Sequence, residues 1–143
     1  MATFSERLKE FMQEKELTQT ALGEQTGIQS TNVSDFLSGK HTPSYKNLTK
    51  LLYFFNCSAD YLLGRKDLPR EEPFHELPPF HERLRAILIE QKTSQEKLKR
   101  ELRVSGSVLY KWLSGKSQPS VESLILLADY FDISIDYLIG RIR

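Results

Sequence analysis

The side chains best suited to chemistry are hydrogen-bonding groups on one short predicted helix, from about residue 30 to residue 37. Apolar residues at helical spacing define its buried side: Val33, Phe36 and Leu37. At about 100° per residue, four polar residues lie on the opposite side: Ser30, Thr31, Ser34 and Asp35. Hydroxyl and carboxylate groups presented together from a helix surface recognise other polar groups by hydrogen bonding.

No residues are spaced for catalysis or for metal binding. The chain has no glycine-rich phosphate cradle and no spaced Ser/His/Asp or Cys/His group. His41, His75 and His81 are expected on a loop, on a linker and at an exposed helix position, without a second ligand at metal spacing. Cys57, the single cysteine, occupies an apolar position and forms no internal disulfide. We therefore expect no enzyme activity, no metal and no cofactor.

The polar helix belongs to a repeat that organises the whole chain. Shifting Phe4–Arg65 by 76 positions lays it on Phe80–Arg141 without a gap. The sequence therefore predicts two small domains, copy one at residues 1–65 and copy two at 80–143, joined by a linker at 66–79. The outward helix face of copy two then carries Gly106, Ser107, Tyr110 and Lys111.

Each copy is predicted to be all-α, with five helices and no sheet. Capping residues mark the helix starts in copy one: Thr3 with Glu6, Thr18, Ser44 and Ser58. Residues suited to the left-handed region mark helix ends: Gly27, Asn56 and Gly64. The tight turn at Gly27 joins the second and third helices into a helix-turn-helix, whose second helix can enter the major groove of DNA.

The flanks of this motif resemble the Cro/cI-type (XRE-family) DNA-binding domain of bacterial and phage repressors. They are Ser38-Gly39-Lys40, Pro43-Ser44 and Ser58-x-Asp60-Tyr61-Leu62-Leu63-Gly64 in copy one, and Ser114-Gly115-Lys116, Pro119-Ser120 and Ser134-x-Asp136-Tyr137-Leu138-Ile139-Gly140 in copy two. The resemblance covers nearly the whole chain except the connecting segment. It implies two tandem five-helix lambda-repressor-like domains in a sequence-specific double-stranded DNA-binding transcription regulator, a repressor by family analogy.

The same resemblance implies roles for particular residues. It places Gln19 and Gln95 beside a phosphate, the exposed helix faces towards bases, and four residues near the DNA backbone: Ser38, Lys40, Ser114 and Lys116. Glutamine at a helix start and lysine after the recognition helix can indeed reach phosphate oxygens, while serine, threonine, aspartate or lysine in the groove can contact base edges.

The two copies differ in charge and in the turn. Residues 18–40 carry a net charge of −1, whereas residues 94–116 carry +4. Lys97 is one of these added cations and is expected to contact DNA. Copy two should therefore attract phosphates more strongly. Gly23 and Gly27 are replaced in copy two by Lys99 and Arg103. Either the second turn adopts a different backbone, or Lys99 lays its stem over the neighbouring helix.

The segment between the copies is rich in proline. Pro69, Pro73, Pro78 and Pro79 disfavour a helix and predict an extended, partly stiff connector. Phe74, Leu77 and the prolines either dock on a domain or belong to a solvent-exposed tether, and the sequence leaves both interpretations open.

The remaining expectations concern partners and location. The last helix of copy two has more apolar residues than a small core would bury, which predicts a homodimer through the last helix of a copy: Ile135, Leu138, Ile139 and Ile142. With neither a secretion signal nor about 20 consecutive apolar residues, the chain is expected to be cytoplasmic and not membrane-bound.

The alternative function is a protein-interaction or dimerisation module in which copy one, with its neutral helix face, no longer contacts DNA.

Overall fold

The computed structural model describes residues 2–69 and 73–143. The chain divides into two compact units, Met1–Glu72 and Pro73–Arg143. Each unit has five helices and, within the described residues, no strand. In copy one these are α1 (Phe4–Glu14), α2 (Gln19–Thr26), α3 (Ser30–Ser38), α4 (Tyr45–Phe55) and α5 (Ala59–Leu62). In copy two they are α6 (Phe80–Glu90), α7 (Gln95–Leu102), α8 (Gly106–Ser114), α9 (Val121–Phe131) and α10 (Ile135–Ile139). The all-α fold of two five-helix domains is confirmed.

Local capping determines where the helices begin and end. The hydroxyls of Thr18, Ser44 and Ser58 each accept a hydrogen bond from a backbone amide in the first turn of the helix that follows. Gly27 and Asn56 take left-handed conformations after α2 and α4, with φ of 78° and 48°. The predicted caps are confirmed. They could be predicted because a helix cap depends on residues that are close together in the sequence.

All five helices of each copy contribute side chains to its core. Leu48, Leu51 and Leu52 on α4 are fully buried, and Leu124 and Leu127 are fully buried on α9. Within copy one, α3 contacts both α1 and α2, and within copy two α8 contacts both α6 and α7. The third helix is thereby held by two others, while its outer side is left to solvent.

Two expectations about the surface are wrong. Ile135, Leu138 and Ile139 on α10 are fully buried, and Ile142 is half-buried. The apolar excess that predicted self-association through the last helix is therefore absent, because the core of copy two absorbs these side chains. His81 is half-buried and not exposed, since it packs against the loop after α8.

The segment before α6 docks on copy two. The ring of Phe74 lies 4.3 Å from the Arg141 guanidinium carbon, and the His75 amide donates to the Arg141 carbonyl oxygen at 2.8 Å. Pro78 packs against Gly140, as Ala2 packs against Gly64 in copy one. Residues 73–79 of the expected linker therefore belong to the second unit, and residues 70–72 lie outside the described residues. Of the two interpretations of Phe74, docking is the one observed.

Three further features of the described residues concern membrane-spanning helices, metal-binding side chains and the single cysteine. No described helix combines the length and the apolar composition needed to cross a bilayer. Three or more histidine, cysteine, aspartate or glutamate side chains do not come together as a metal site in the described part of the chain. Cys57 is buried in copy one, consistent with its predicted place in the core.

Candidate nucleic-acid interface

A glycine lets the helix-turn-helix of copy one close tightly. A Cβ on Gly23 would lie 2.9 Å from the carbonyl oxygen of Ile28, closer than real Cβ atoms approach. Glycine therefore allows the turn to pack directly on α2, and Ile28 is only 3% exposed. This packing fixes the position of α3 against α2.

The outer side of α3 is polar. Val33 and Phe36 are buried, whereas Leu37 is half-buried. The predicted contact residues of copy one that are exposed are Ser30, Thr31, Ser34, Ser38 and Lys40. Asp35 is half-buried, and its carboxylate lies 3.9 Å from Nε2 of His41. The acidic group on this surface therefore has an imidazole ring beside it.

Gln19 connects the starts of α2 and α3. Its Nε2 donates to the backbone carbonyl oxygen of Ser30 at 3.1 Å and lies 3.3 Å from the Ser30 hydroxyl oxygen. The amide thus stabilises the recognition helix within copy one. Its predicted contact with a phosphate would share or replace these hydrogen bonds.

Copy two builds the same turn with larger residues. Arg103 takes the left-handed conformation of Gly27, with φ of 55°. Lys99 lies against the start of α8: its Cδ lies 3.7 Å from the position that a Cβ on Gly106 would take, and its Nζ is 3.2 Å from Glu96 Oε1. The turn of copy two therefore keeps the left-handed backbone conformation seen in copy one, and the aliphatic stem of Lys99 covers part of the neighbouring helix. Val104 is half-buried where Ile28 is buried, so this turn packs less closely.

The outer side of α8 carries the predicted contact residues of copy two. Those that are exposed are Gly106, Ser107, Tyr110, Lys111 and Ser114, together with Gln95 and Lys97 on α7 and Lys116 after α8. Nζ of Lys116 lies 5.0 Å from the centre of the Tyr110 ring, within cation–π range. Val108, which sequence reasoning missed, is exposed at the start of the same helix.

The C-terminus of each recognition helix is tied to the first helix of its copy. In copy one the Ser5 hydroxyl donates to the carbonyl oxygen of Leu37 at 2.6 Å. In copy two Nε and a terminal nitrogen of Arg85 both donate to the carbonyl oxygen of Leu113, at 3.1 and 2.7 Å. A guanidinium at a helix C-terminus also interacts favourably with the helix dipole. The repeat gave no signal for either residue, because Ser5 and Arg85 are not at equivalent positions.

A small cleft opens between α6, α7 and α8. Its volume is about 190 Å³, and its lining includes Arg85, Gln95, Lys99, Tyr110 and Ser114. Three of these are predicted contact residues, so the structure brings Gln95, Tyr110 and Ser114 to one surface of copy two.

The positive charge of copy two lies at the surface. The exposed cations of α7, the turn and α8 are Lys97, Arg100, Arg103 and Lys111, followed by Lys116. Glu96 is paired with Lys99, and Glu101 hydrogen-bonds Tyr130, which raises the pKa of that phenol. Among the exposed residues of α7, the turn and α8, the basic groups therefore outnumber the acidic groups.

Comparison with known proteins finds the same motif in both copies. A family model described as helix-turn-helix matches residues 8–62 and 84–138. The HTH-type transcriptional activator BcrR of Enterococcus faecalis is 37% identical over 61 residues, 43% of this chain and 30% of that protein. The HTH-type transcriptional regulator ImmR of Bacillus subtilis (strain 168) is 32% identical over 69 residues, 48% of this chain and 54% of that protein. The aligned segments thus span about a third and about half of these relatives, and no solved structure matches significantly.

Proposed function

The chain belongs to the helix-turn-helix family through both of its copies, and on that premise we propose that it regulates transcription by binding double-stranded DNA. The third helix of each copy, α3 or α8, enters the major groove and contacts base edges. One observation carries the proposal. The packed side of each of these helices is buried against its own domain, while most of the hydrogen-bonding residues predicted to contact DNA are exposed.

Phosphate contacts would set the orientation of each copy on the duplex. Gln19 and Gln95 are the first residues of α2 and α7. Backbone N–H groups at the start of a helix can also donate hydrogen bonds to a phosphate. Lys40 and Lys116 follow the recognition helices and supply cations at the other end. These contacts position the helices, and residues of α3 and α8 select the sequence.

We further propose that occupancy of the DNA lowers transcription, so that the protein acts as a repressor. Repression needs only that a bound domain block access to the same DNA. One relative, BcrR, is named an activator; a reporter gene placed behind the enriched site should instead be expressed less when this protein is present. The protein would work wherever its DNA lies, in the cytoplasm or nucleoid.

The test is selection of duplexes from a random pool by the full chain, followed by affinity measurement on the enriched sequence. Binding should weaken at least roughly tenfold between about 50 and about 200 mM salt, because basic side chains release condensed cations from phosphates. Lack of enrichment, or affinity that is independent of salt, would instead favour a protein-interaction module.

A further inference from the structure

Val108 is an exposed, uncharged, apolar side chain on the helix that should enter the major groove. It is the third residue of α8 and is 40% exposed. Ser107 and Lys111, predicted to contact base edges, lie on the same helix. The equivalent residue in copy one is Asn32, whose amide can donate and accept hydrogen bonds. Copy two therefore has two methyl groups where copy one has a hydrogen-bonding group.

The chemistry of the major groove limits what Val108 can contact favourably. Base edges there present hydrogen-bond donors and acceptors, and the 5-methyl group of thymine is the apolar feature among them. Valine placed over a polar edge would remove water without replacing its hydrogen bonds, which is unfavourable. Packing against a thymine methyl buries apolar surface on both sides.

We propose that Val108 makes copy two selective for thymine by packing against its 5-methyl group. This inference rests on the proposed function and adds to it a base preference that copy one does not share. Tyr110, the other large exposed hydrophobic residue of α8, lies at the opposite edge of the exposed face, about 160° around the helix from Val108, and the Lys116 ammonium lies 5.0 Å from the centre of its ring. Val108 is therefore the apolar group of this helix that a methyl group can cover.

The two copies should consequently prefer unlike half-sites. The exposed part of α3 is made of hydroxyl groups, and Asn32 and Asp35 are half-buried beside them. No large hydrophobic residue of α3 is exposed among the described residues. One chain would then read a composite, non-palindromic site in which a required thymine lies on the side of copy two.

The experiment uses the full chain and the duplex enriched from a random pool. Each thymine is replaced in turn by deoxyuridine, which lacks only the 5-methyl group. We expect one position at which affinity falls about fourfold, the value for burial of one methyl group. Val108→Ala should bind the thymine duplex more weakly and should lose its sensitivity to deoxyuridine at that position.

Val108→Asn, which introduces the residue of copy one, and Asn32→Ala serve as controls. Val108→Asn should also lose the deoxyuridine effect, whereas Asn32→Ala should retain it. An enriched duplex with no sensitive thymine, or equal sensitivity in Val108→Ala and the original chain, would overturn this inference while leaving DNA binding established. Failure to enrich any duplex would overturn the proposed function and this inference together.

Discussion

Gly23 and Gly106 lie on opposite sides of equivalent helix crossings. In copy one the glycine is on α2 and its partner on α3 is Ser30, whereas in copy two Lys99 on α7 faces Gly106 on α8. Each crossing thus has one glycine, but only the arrangement of copy one lets the turn backbone approach the helix. Single side chains therefore decide how closely each recognition helix is held.

Gly23→Ala should destabilise copy one. The new Cβ would lie 2.9 Å from the carbonyl oxygen of Ile28, so the backbone of the turn must move. We expect a loss of about 1–3 kcal/mol in the free energy of unfolding, typical of overpacking, measured by chemical denaturation.

Gly106→Ala is the matched control. Its Cβ would meet only the Lys99 side chain, with Cδ at 3.7 Å and Nζ at 3.8 Å, both in ordinary van der Waals contact. The stability of copy two should be unchanged or raised by up to about 1 kcal/mol, because alanine lowers the entropy of the unfolded chain. Equal destabilisation by both variants would contradict the difference between the crossings.

Lys111 and Asp35 occupy equivalent positions on α8 and α3, and we expect opposite effects from their removal. Lys111→Ala should weaken binding to most duplexes, by about 1–3 kcal/mol if the lysine contacts a base. Asp35→Ala should leave affinity similar or higher while relaxing the preference at one base pair, because aspartate repels phosphates and accepts only from groups such as cytosine N4. Affinities across a set of single-base variants measure both effects. If Asp35→Ala abolishes binding and Lys111→Ala is silent, the roles are reversed.

At the scale of elements, one residue of the turn between α7 and α8 affects both the stability of copy two and its positive charge. Arg103 holds a left-handed conformation that an arginine adopts with strain, yet its side chain is exposed beside the other cations of α7. Copy one takes the unstrained solution with Gly27, and its turn is neutral.

Arg103→Gly should therefore stabilise copy two while weakening its attraction for DNA. We expect a gain of about 1 kcal/mol in unfolding free energy from relief of the left-handed strain. If Arg103 contacts a phosphate, the dependence of log affinity on log salt should become shallower by about one. Arg103→Ala provides the control, since it removes the charge but keeps the strain. A gain in stability from Arg103→Ala equal to that from Arg103→Gly would exclude the conformational explanation.

At the scale of the whole molecule, the docked segment shortens the tether between the copies. The backbone amides of Arg65 and Lys66 donate hydrogen bonds to the Asp60 carbonyl oxygen in copy one. Residues 73–79 belong to the unit of copy two. The chain from Lys66 to Pro73 can then extend at most about 25 Å. The full predicted linker would reach roughly 45 Å.

We predict that one chain occupies two neighbouring half-sites and that their separation matters. Half-sites about 34 Å apart, centre to centre, correspond to one turn of DNA. Because the tether joins the surfaces of the domains and not their recognition helices, a length of about 25 Å is compatible with that separation, and it should make binding fall off as the separation grows. Footprinting on duplexes with stepwise spacers measures this.

A variant with ten Gly/Ser residues inserted before Pro73 should tolerate wider spacing. Protection of one half-site alone by a monomeric chain, or equal affinity at every spacing in the original chain, would refute the prediction.

The helices, their caps and the repeat were predictable because they depend on neighbouring residues and on a periodic apolar pattern. Thr18, Gly27 and Ser58 show this: each acts on backbone groups within a few positions of itself. The outward face of α3 followed for the same reason, since the burial of Val33 and Phe36 fixes the helical phase.

Tertiary structure decided the features that depend on residues distant in sequence. Ile135, Leu138 and Ile139 look like an apolar excess until the core of copy two encloses them, and Phe74 looks like part of a tether until Arg141 lies beside it. Arg85 reaches the end of α8 across 28 positions in the chain. Composition and spacing contain no information about such pairs, because burial and long-range hydrogen bonding depend on how helices pack, which local patterns do not specify.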